Sequence, residues 1–372
     1  MSTISSPLFT DLYQFTMMQC YRTYGLNNKV ACFDLFFRHN PFNGSYAVIA
    51  GIEAGLKFLE ALHFRHTEIS YLKSLGLFDK NFLQGLKKFH FTGDVYAVEE
   101  GTVGFPLAPI MRVEGPLDQC QLVETALLNI INFQTLIASK AARICQEAGY
   151  ENVLEFGLRR AQGPDGGLTA SRAAYVGGVS ATSNVLAGKT YGIPVRGTHS
   201  HSWVMAHTSE LEAFRRYAQV YPNNAVLLVD TYDTLKCGIP NAIEVGLEME
   251  KKGQRLQGIR LDSGDLTYLS IEARKMLDGA GLPDCRIIAS GDLDEWIIRD
   301  IKAQGAKIDI FGVGTKLASA DGDSALSGVY KLAAIKNKGE SWQMRLKMAD
   351  GSKKATYPGP KQVWRLFGAD QD

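Results

Sequence analysis

None of the six cysteines, Cys20, Cys32, Cys120, Cys145, Cys237 and Cys285, lies in a C-x-x-C pair. Their wide spacing excludes both the dense disulfide framework of small secreted domains and a zinc-ribbon arrangement. The chain also lacks an excess of charge, with 40 Lys+Arg against 39 Asp+Glu and a formal net charge of +1. No global field is available to gather nucleic acid or an anionic membrane, so any anionic ligand must be held locally. Long apolar runs are missing too: the stretch Tyr46 to Leu62 is interrupted by Glu53, Lys57 and Glu60. The N-terminus has no basic segment followed by an apolar one, and the expectation is a cytoplasmic protein with no membrane or nucleic-acid partner. There is no internal repeat and no low-complexity tract.

What is present suits a large core. With 45% hydrophobic and 10% aromatic residues in 372, the chain has the apolar material for an α/β barrel plus a smaller domain. From Glu151 onward, β-rich runs alternate with helical patterns. The runs are 153–156, 193–195, 225–229, 258–261, 286–289 and 308–311, and the helix-like segments fall near 168–190, 203–218, 233–252, 265–280 and 292–305. Near-continuous apolar strands between helices mean parallel βα units. Nearly every strand is followed at once by small or reactive residues: Gly157-Leu158-Arg159-Arg160, Gly197-Thr198-His199-Ser200-His201, Asp230-Thr231-Tyr232-Asp233, Asp262-Ser263-Gly264-Asp265, Ser290-Gly291-Asp292 and Gly312-Val313-Gly314-Thr315. Reactive groups at many successive strand ends favour one site at the top of a barrel over the single switch point of an open sheet. The fold expected is therefore an irregular parallel α/β barrel over 118–324. A smaller mixed α+β domain is expected from 1–117, completed by 325–372. In it, β-rich runs at 31–37 and 94–98 flank a helix over 51–62, and antiparallel strands follow at 329–335 and 341–348. An amphipathic run from Leu117 to Ala148 would link the two.

The two glycine-rich strand ends, Ser290-Gly291-Asp292 and Gly312-Val313-Gly314-Thr315, sit on consecutive βα units, where barrels commonly hold a phosphate. A turn needs glycine for backbone reasons as well, but two such clusters on adjacent strands favour a phosphorylated ligand. Arg260 lies inside an apolar strand, and a buried guanidinium needs an anionic partner, from the protein or from a ligand. Asp262, Ser263 and Asp265 read either as ligand groups or as the cap of the next helix. Asp230 and Asp233 are likewise open between helix capping and Mg²⁺ shared with substrate phosphates. In extended geometry His199 and His201 would face the same way, which invites a metal-dependent barrel hydrolase; yet only His207 follows them as a further histidine ligand. A single histidine acting as nucleophile or base near phosphate-binding loops needs nothing that is missing.

These segments, with Thr10-Asp11-Leu12-Tyr13-Gln14-Phe15-Thr16-Met17, Glu155-Phe156 ahead of Gly157, Ala181-Thr182-Ser183-Asn184-Val185 and Phe311 ahead of Gly312, resemble the nicotinate phosphoribosyltransferases in order and spacing through essentially the whole chain. The resemblance implies transfer of phosphoribose from phosphoribosyl pyrophosphate to nicotinate. ATP is the co-substrate, Mg²⁺ the cofactor, and nicotinate mononucleotide, pyrophosphate, ADP and phosphate are the products. It implies a homodimer with shared active sites. It places the phosphorylated histidine at His201, nicotinate contacts at Thr198, Tyr13 and Arg260, and a phosphoribosyl pyrophosphate contact at Thr315. Arg159 and Thr182 would lie beside the pyridine ring. Ser290, Gly291, Gly312 and Gly314 would serve the phosphates. Asp230, Asp262 and Asp265 are the candidates for the metal and the ribose hydroxyls, Asp262 with a catalytic part. Nicotinamide or quinolinate phosphoribosyltransferase is the nearest alternative, separated by the number of cationic groups around the ring.

Overall fold

The computed structural model describes residues 6–347 and 357–366. Its strands among the described residues are β1 (Val30–Phe37), β2 (Ala47–Val48), β3 (Asp94–Ala97), β4 (Val103–Gly104) and β5 (Met111–Pro116), followed beyond a long helix by β6 (Val153–Glu155), β7 (Ala181–Thr182), β8 (Val226–Leu228), β9 (Gly258–Leu261), β10 (Arg286–Ser290) and β11 (Ile310–Val313), and finally β12 (Gly328–Lys336) and β13 (Gln343–Met344). The architecture is mixed α/β, and the chain divides into two compact units, Met1–Ser139 with Ala325–Asp372, and Lys140–Ser324.

The first unit is built on an antiparallel sheet in the order β13-β12-β1-β5-β3, with β2 and β4 as a separate pair. Its central strand β1, Val-Ala-Cys-Phe-Asp-Leu-Phe-Phe, is buried from its second residue onward. Buried aromatics carry much of this core: Phe33 stacks on Tyr330 with centroids 4.8 Å apart, and the Tyr330 hydroxyl donates to the Cys120 carbonyl at 2.8 Å. The amphipathic run begun at Leu117 is two helices, Leu117–Leu122 and Glu124–Ala148, parted at Val123. The terminal strand expected over 341–348 is confined to Gln343–Met344, and Met348 lies outside the described residues.

The second unit carries the site. Its six strands are all parallel, in the order β7-β6-β11-β10-β9-β8. Apolar side chains such as Leu227, Ile259, Leu261, Ile287 and Phe311 fill the strands because helices cover them. Two sequence expectations are corrected here. The helix read over 168–190 is two helices, Gly163–Val176 and Val185–Tyr191, with β7 between them. Gly177-Gly178 ends the first helix, and Gly178 takes a φ of +109°, which strains any side-chain-bearing residue. The strand expected over 193–195 is reduced to one parallel bridge, Thr182 to Val195. No helix among the described residues is long and apolar enough to cross a membrane.

Candidate active site

A cavity of about 370 Å³ opens at the carboxyl ends of the parallel strands, and Arg159, Thr198, His201, Arg260 and Asp262 all line it, with Phe156, Leu158 and Ser183. Arg260 is its hub. From the middle of β9 its guanidinium donates through Nε to Ser290 Oγ at 2.7 Å, through Nη1 to Thr198 Oγ1 at 3.1 Å and through Nη2 to Asp262 Oδ1 at 2.6 Å. It also stands over the Phe156 ring, 5.6 Å from the centroid. A guanidinium has five N–H donors, so three engaged leave two for a ligand. Ser290 also bonds to Asp262 Oδ1 through its hydroxyl. Burial alone would raise the Asp262 carboxyl, but the Ser290 hydroxyl and the Arg260 charge outweigh it and hold its pKa below the ordinary carboxylate value.

His201 begins a short helix, His201–Met205, and its side chain is 40% exposed at the cavity. Nδ1 lies 3.2 Å from Thr231 Oγ1, while Nε2 faces two carboxylates, Asp230 Oδ1 at 4.0 Å and Asp262 Oδ2 at 3.9 Å. Asp230 is fixed from the other side, where its Oδ2 accepts from the Asp262 backbone N–H at 2.9 Å and the Ser263 hydroxyl at 2.6 Å. Its Oδ1 is buried and has no hydrogen-bond partner among the described residues. A buried carboxylate oxygen left without a donor is costly unless a cation or a ligand proton meets it.

His199 does something else. It is 8% exposed, its Nε2 accepts from the Leu228 backbone N–H at 3.2 Å, its Nδ1 faces the Ser200 carbonyl at 3.3 Å, and its ring packs edge-on to Tyr217. Burial is the main cause that pushes its pKa down to about 4, so this imidazole is neutral. The two histidines part because the chain leaves extended geometry after Ser200 and His201 starts the helix. With Nε2 taken by a backbone amide, His199 cannot join His201 on a metal, and the hydrolase reading loses its geometry. Among the described residues no group of three or more His, Cys, Asp or Glu is placed to hold a metal.

The remaining candidates sort by position. Thr182 is fully buried and its hydroxyl donates to Glu155 Oε2 at 2.6 Å; its neighbour Ser183 reaches the cavity instead. Asp265 caps the helix Leu266–Gly279 by accepting from the Tyr268 N–H at 3.0 Å, and Asp233 caps the wide turn Thr234–Gly238 by accepting from the Lys236 N–H at 2.9 Å. Capping accounts for both. Gly291 takes a φ of +98°, and a Cβ there would collide with the Asp262 carbonyl. Gly312 lies under the Phe156 ring, where a Cβ would come within 2.6 Å. Gly314 and Thr315 open the short helix Thr315–Ala318 directly after β11. Tyr13 lies in the first unit, on the helix Leu12–Thr23, and is 46% exposed. Sequence reasoning gave no role to Phe156 or Thr231; the available signal was an aromatic residue directly after β6 and a hydroxyl residue three positions past β8.

Arginines, a pocket histidine and paired carboxylates gathered at the carboxyl ends of parallel strands are the apparatus of an α/β enzyme acting on anionic substrates. Residues 8–132 match the nicotinate phosphoribosyltransferase (NAPRTase) N-terminal domain, and residues 152–357 match the nicotinate phosphoribosyltransferase (NAPRTase) family. The chain is 50% identical to the nicotinate phosphoribosyltransferase of Bacillus subtilis over 98% of its length and 74% of that protein's. The crystal structure of human nicotinic acid phosphoribosyltransferase superposes with a TM-score of 0.80 at 34% identity, covering 90% of this chain and 76% of the human one. A nicotinate-nucleotide pyrophosphorylase structure from Pyrococcus furiosus, 24% identical with a TM-score of 0.74 over 95% of this chain and 79% of that one, shares the fold. The chain belongs to the nicotinate phosphoribosyltransferase family, and so to the enzymes of NAD biosynthesis.

Proposed function

We propose that the cavity joins nicotinate to phosphoribosyl pyrophosphate, and that His201 couples the transfer to ATP. The observation that carries this reading is the Arg260 hub: a fixed cation, tied to Thr198 and Asp262, with two donors left in a cavity that also receives Arg159 and His201. The free part of a guanidinium meets a planar carboxylate through two parallel donors, which an ammonium cannot do. The pyridine nitrogen then attacks the anomeric carbon, the bond from that carbon to the pyrophosphate oxygen breaks, and pyrophosphate leaves with the electron pair. The Ser290–Gly291 and Gly312–Thr315 strand ends are assigned to the phosphates, with Thr315 as a direct contact.

Mg²⁺, when bound, would shield the charge that builds on the departing pyrophosphate. Asp230 and Asp262 fit such an ion as two hard oxygen donors, Asp230 through its unpartnered Oδ1, whereas Asp265 is committed to its helix. Thr231 engages His201 Nδ1, which leaves Nε2 as the nitrogen to accept the phosphoryl group of ATP. The added charge would lie between the Asp230 and Asp262 carboxylates. Repulsion there supplies a reason for the loop to move, and hydrolysis of the phosphohistidine resets it.

We infer that the parallel sheet is an irregular barrel. Read as a circle, the order Val195 segment, β8, β9, β10, β11, β6, β7 is chain order with one start point shifted; the step from β7 to Val195 is a single bridge, and the step from Val195 to β8 has none. We also propose a cytoplasmic homodimer with shared active sites to which the exposed Tyr13 contributes; the free cysteines suit that compartment.

The test is a product assay for nicotinate mononucleotide with and without ATP, joined to labelling with γ-labelled ATP. We expect an acid-labile, base-stable label that His201→Ala abolishes along with ATP stimulation, while a slow ATP-independent transfer persists. His199→Gln should keep the label. A label that survives in His201→Ala overturns the assignment.

A further inference from the structure

A second, larger cavity of about 620 Å³ lies at the opposite ends of the same strands. Glu151, Ser180, Gln257 and Arg286 line it, and each stands at or just before the start of β6, β7, β9 or β10. It reaches inward to Phe156, Gly197 and Thr198, which also line the front cavity. The interior of a parallel barrel is normally plugged by branched side chains. Here branched residues such as Leu154, Val226 and Ile288 are in the lining, but Ser180, Ala181 and Gly197 are small members of it and the cavity stays open.

Its lining is specific. Arg196 and Arg286 are both exposed, and neither has an ion-pair partner among the described residues; Arg196 reaches only the Val195 carbonyl, at 3.5 Å. Glu151, the acidic residue of the lining, pairs with neither. The same lining holds three aromatic rings, Phe156, Tyr217 and Tyr221, the two tyrosine rings 5.1 Å apart. Aromatic walls ending in unpaired guanidinium groups recognise a flat ring that carries an anion. The volume exceeds what one pyridine carboxylate fills and lies in the range of ligand sites for mononucleotide-sized molecules.

We propose that this rear cavity is a binding site for an aromatic mononucleotide, with its phosphate at Arg196 and Arg286 and its ring among Phe156, Tyr217 and Tyr221. Because Phe156 and Thr198 are shared, a ring seated there presses on the front cavity and opposes binding of the base. A nucleotide product would thereby restrain its own synthesis through reciprocal coupling. That consequence rests on the front-site reading; the rear site itself does not.

The experiment is calorimetric titration of the whole protein, with phosphoribosyl pyrophosphate at saturation so that the front phosphate positions are filled. The probes are adenosine 5′-monophosphate, nicotinate mononucleotide and inorganic phosphate. We expect the mononucleotides to bind, the tighter of the two identifying a purine or a pyridine source. Arg196→Ser/Arg286→Ser should weaken the tighter one by about tenfold or more, as for loss of charge-assisted bonds, with kcat at saturating substrates retained. Inorganic phosphate binding as tightly as the nucleotides would overturn the aromatic part of the proposal. No mononucleotide binding, or binding indifferent to the double substitution, would overturn the site. If arginine-dependent binding is present in a protein that makes no nicotinate mononucleotide, the rear site stands and the front-site reading fails.

Discussion

Arg260→Lys separates a fork from a charge. The guanidinium now serves Ser290, Thr198 and Asp262 through three different nitrogens, at 2.7, 3.1 and 2.6 Å, and keeps two donors for a ligand. A lysine nitrogen is one point with three donors and cannot meet three partners on separate elements and a planar carboxylate as well. It would keep its charge beside Asp262 and lose the bidentate grip. Hydrogen bonds to charged groups are worth about 1.5–3 kcal/mol each, so losing one at the substrate should lower kcat/KM for nicotinate by roughly 10- to 100-fold. Initial rates with nicotinate varied at saturating phosphoribosyl pyrophosphate, and the reverse, give the two constants. The constant for the phosphate substrate should move far less. If it alone falls while the nicotinate constant holds, Arg260 grips a phosphate and the carboxylate assignment is wrong.

His199 makes stability depend on pH in a defined direction. Its folded pKa of about 4 lies below the ordinary histidine value, so between about pH 6.5 and 4 the unfolded chain binds a proton that the folded one does not. Stability is therefore full above that window and is lost as pH falls through it, by up to about 3 kcal/mol for this residue. Urea midpoints at pH 7 and 4.5 should fall further in the wild type than in His199→Gln; equal falls would mean that the imidazole is charged in the fold. Asp265→Ala should cost about 1 kcal/mol of stability through the lost cap and leave the Mg²⁺ concentration for half-maximal rate unchanged. A raised Mg²⁺ requirement in that variant would return Asp265 to the metal.

What was legible in the sequence follows from physical range. The strands at 153–155, 226–228, 258–261, 286–290 and 310–313 could be read because parallel strands covered on both faces are continuous apolar runs. β7 could not, being two residues between two helices, although Gly177-Gly178 marked the break. Histidine roles were beyond local reading. What occupies His199 is the amide of Leu228, on a neighbouring strand, and nothing near position 199 announces it. Asp265 was ambiguous for the same reason, since a cap looks like a ligand until its partner is seen, and nothing near position 182 announces the Glu155 carboxylate that the Thr182 hydroxyl meets.

Arg260 is the contrasting case, because its first partner was in view. Residues two apart on a strand share a side, and Asp262 stands two beyond Arg260. The anion demanded by a guanidinium in an apolar strand is thus met partly by the protein itself, which bears on the choice of base. The cavity is lined by two arginines, Arg159 and Arg260, and one of them is already paired with a carboxylate. A pyridine with one carboxylate can be met by the two free donors of Arg260 while Arg159 faces the ring or the phosphates. A pyridine dicarboxylate would take Arg159 as its second fork and leave no arginine of this lining for the phosphates, and an uncharged amide would leave the donors of Arg260 without an anion. The charge inventory therefore favours nicotinate over quinolinate and nicotinamide, for a reason that depends on Asp262 as much as on Arg260.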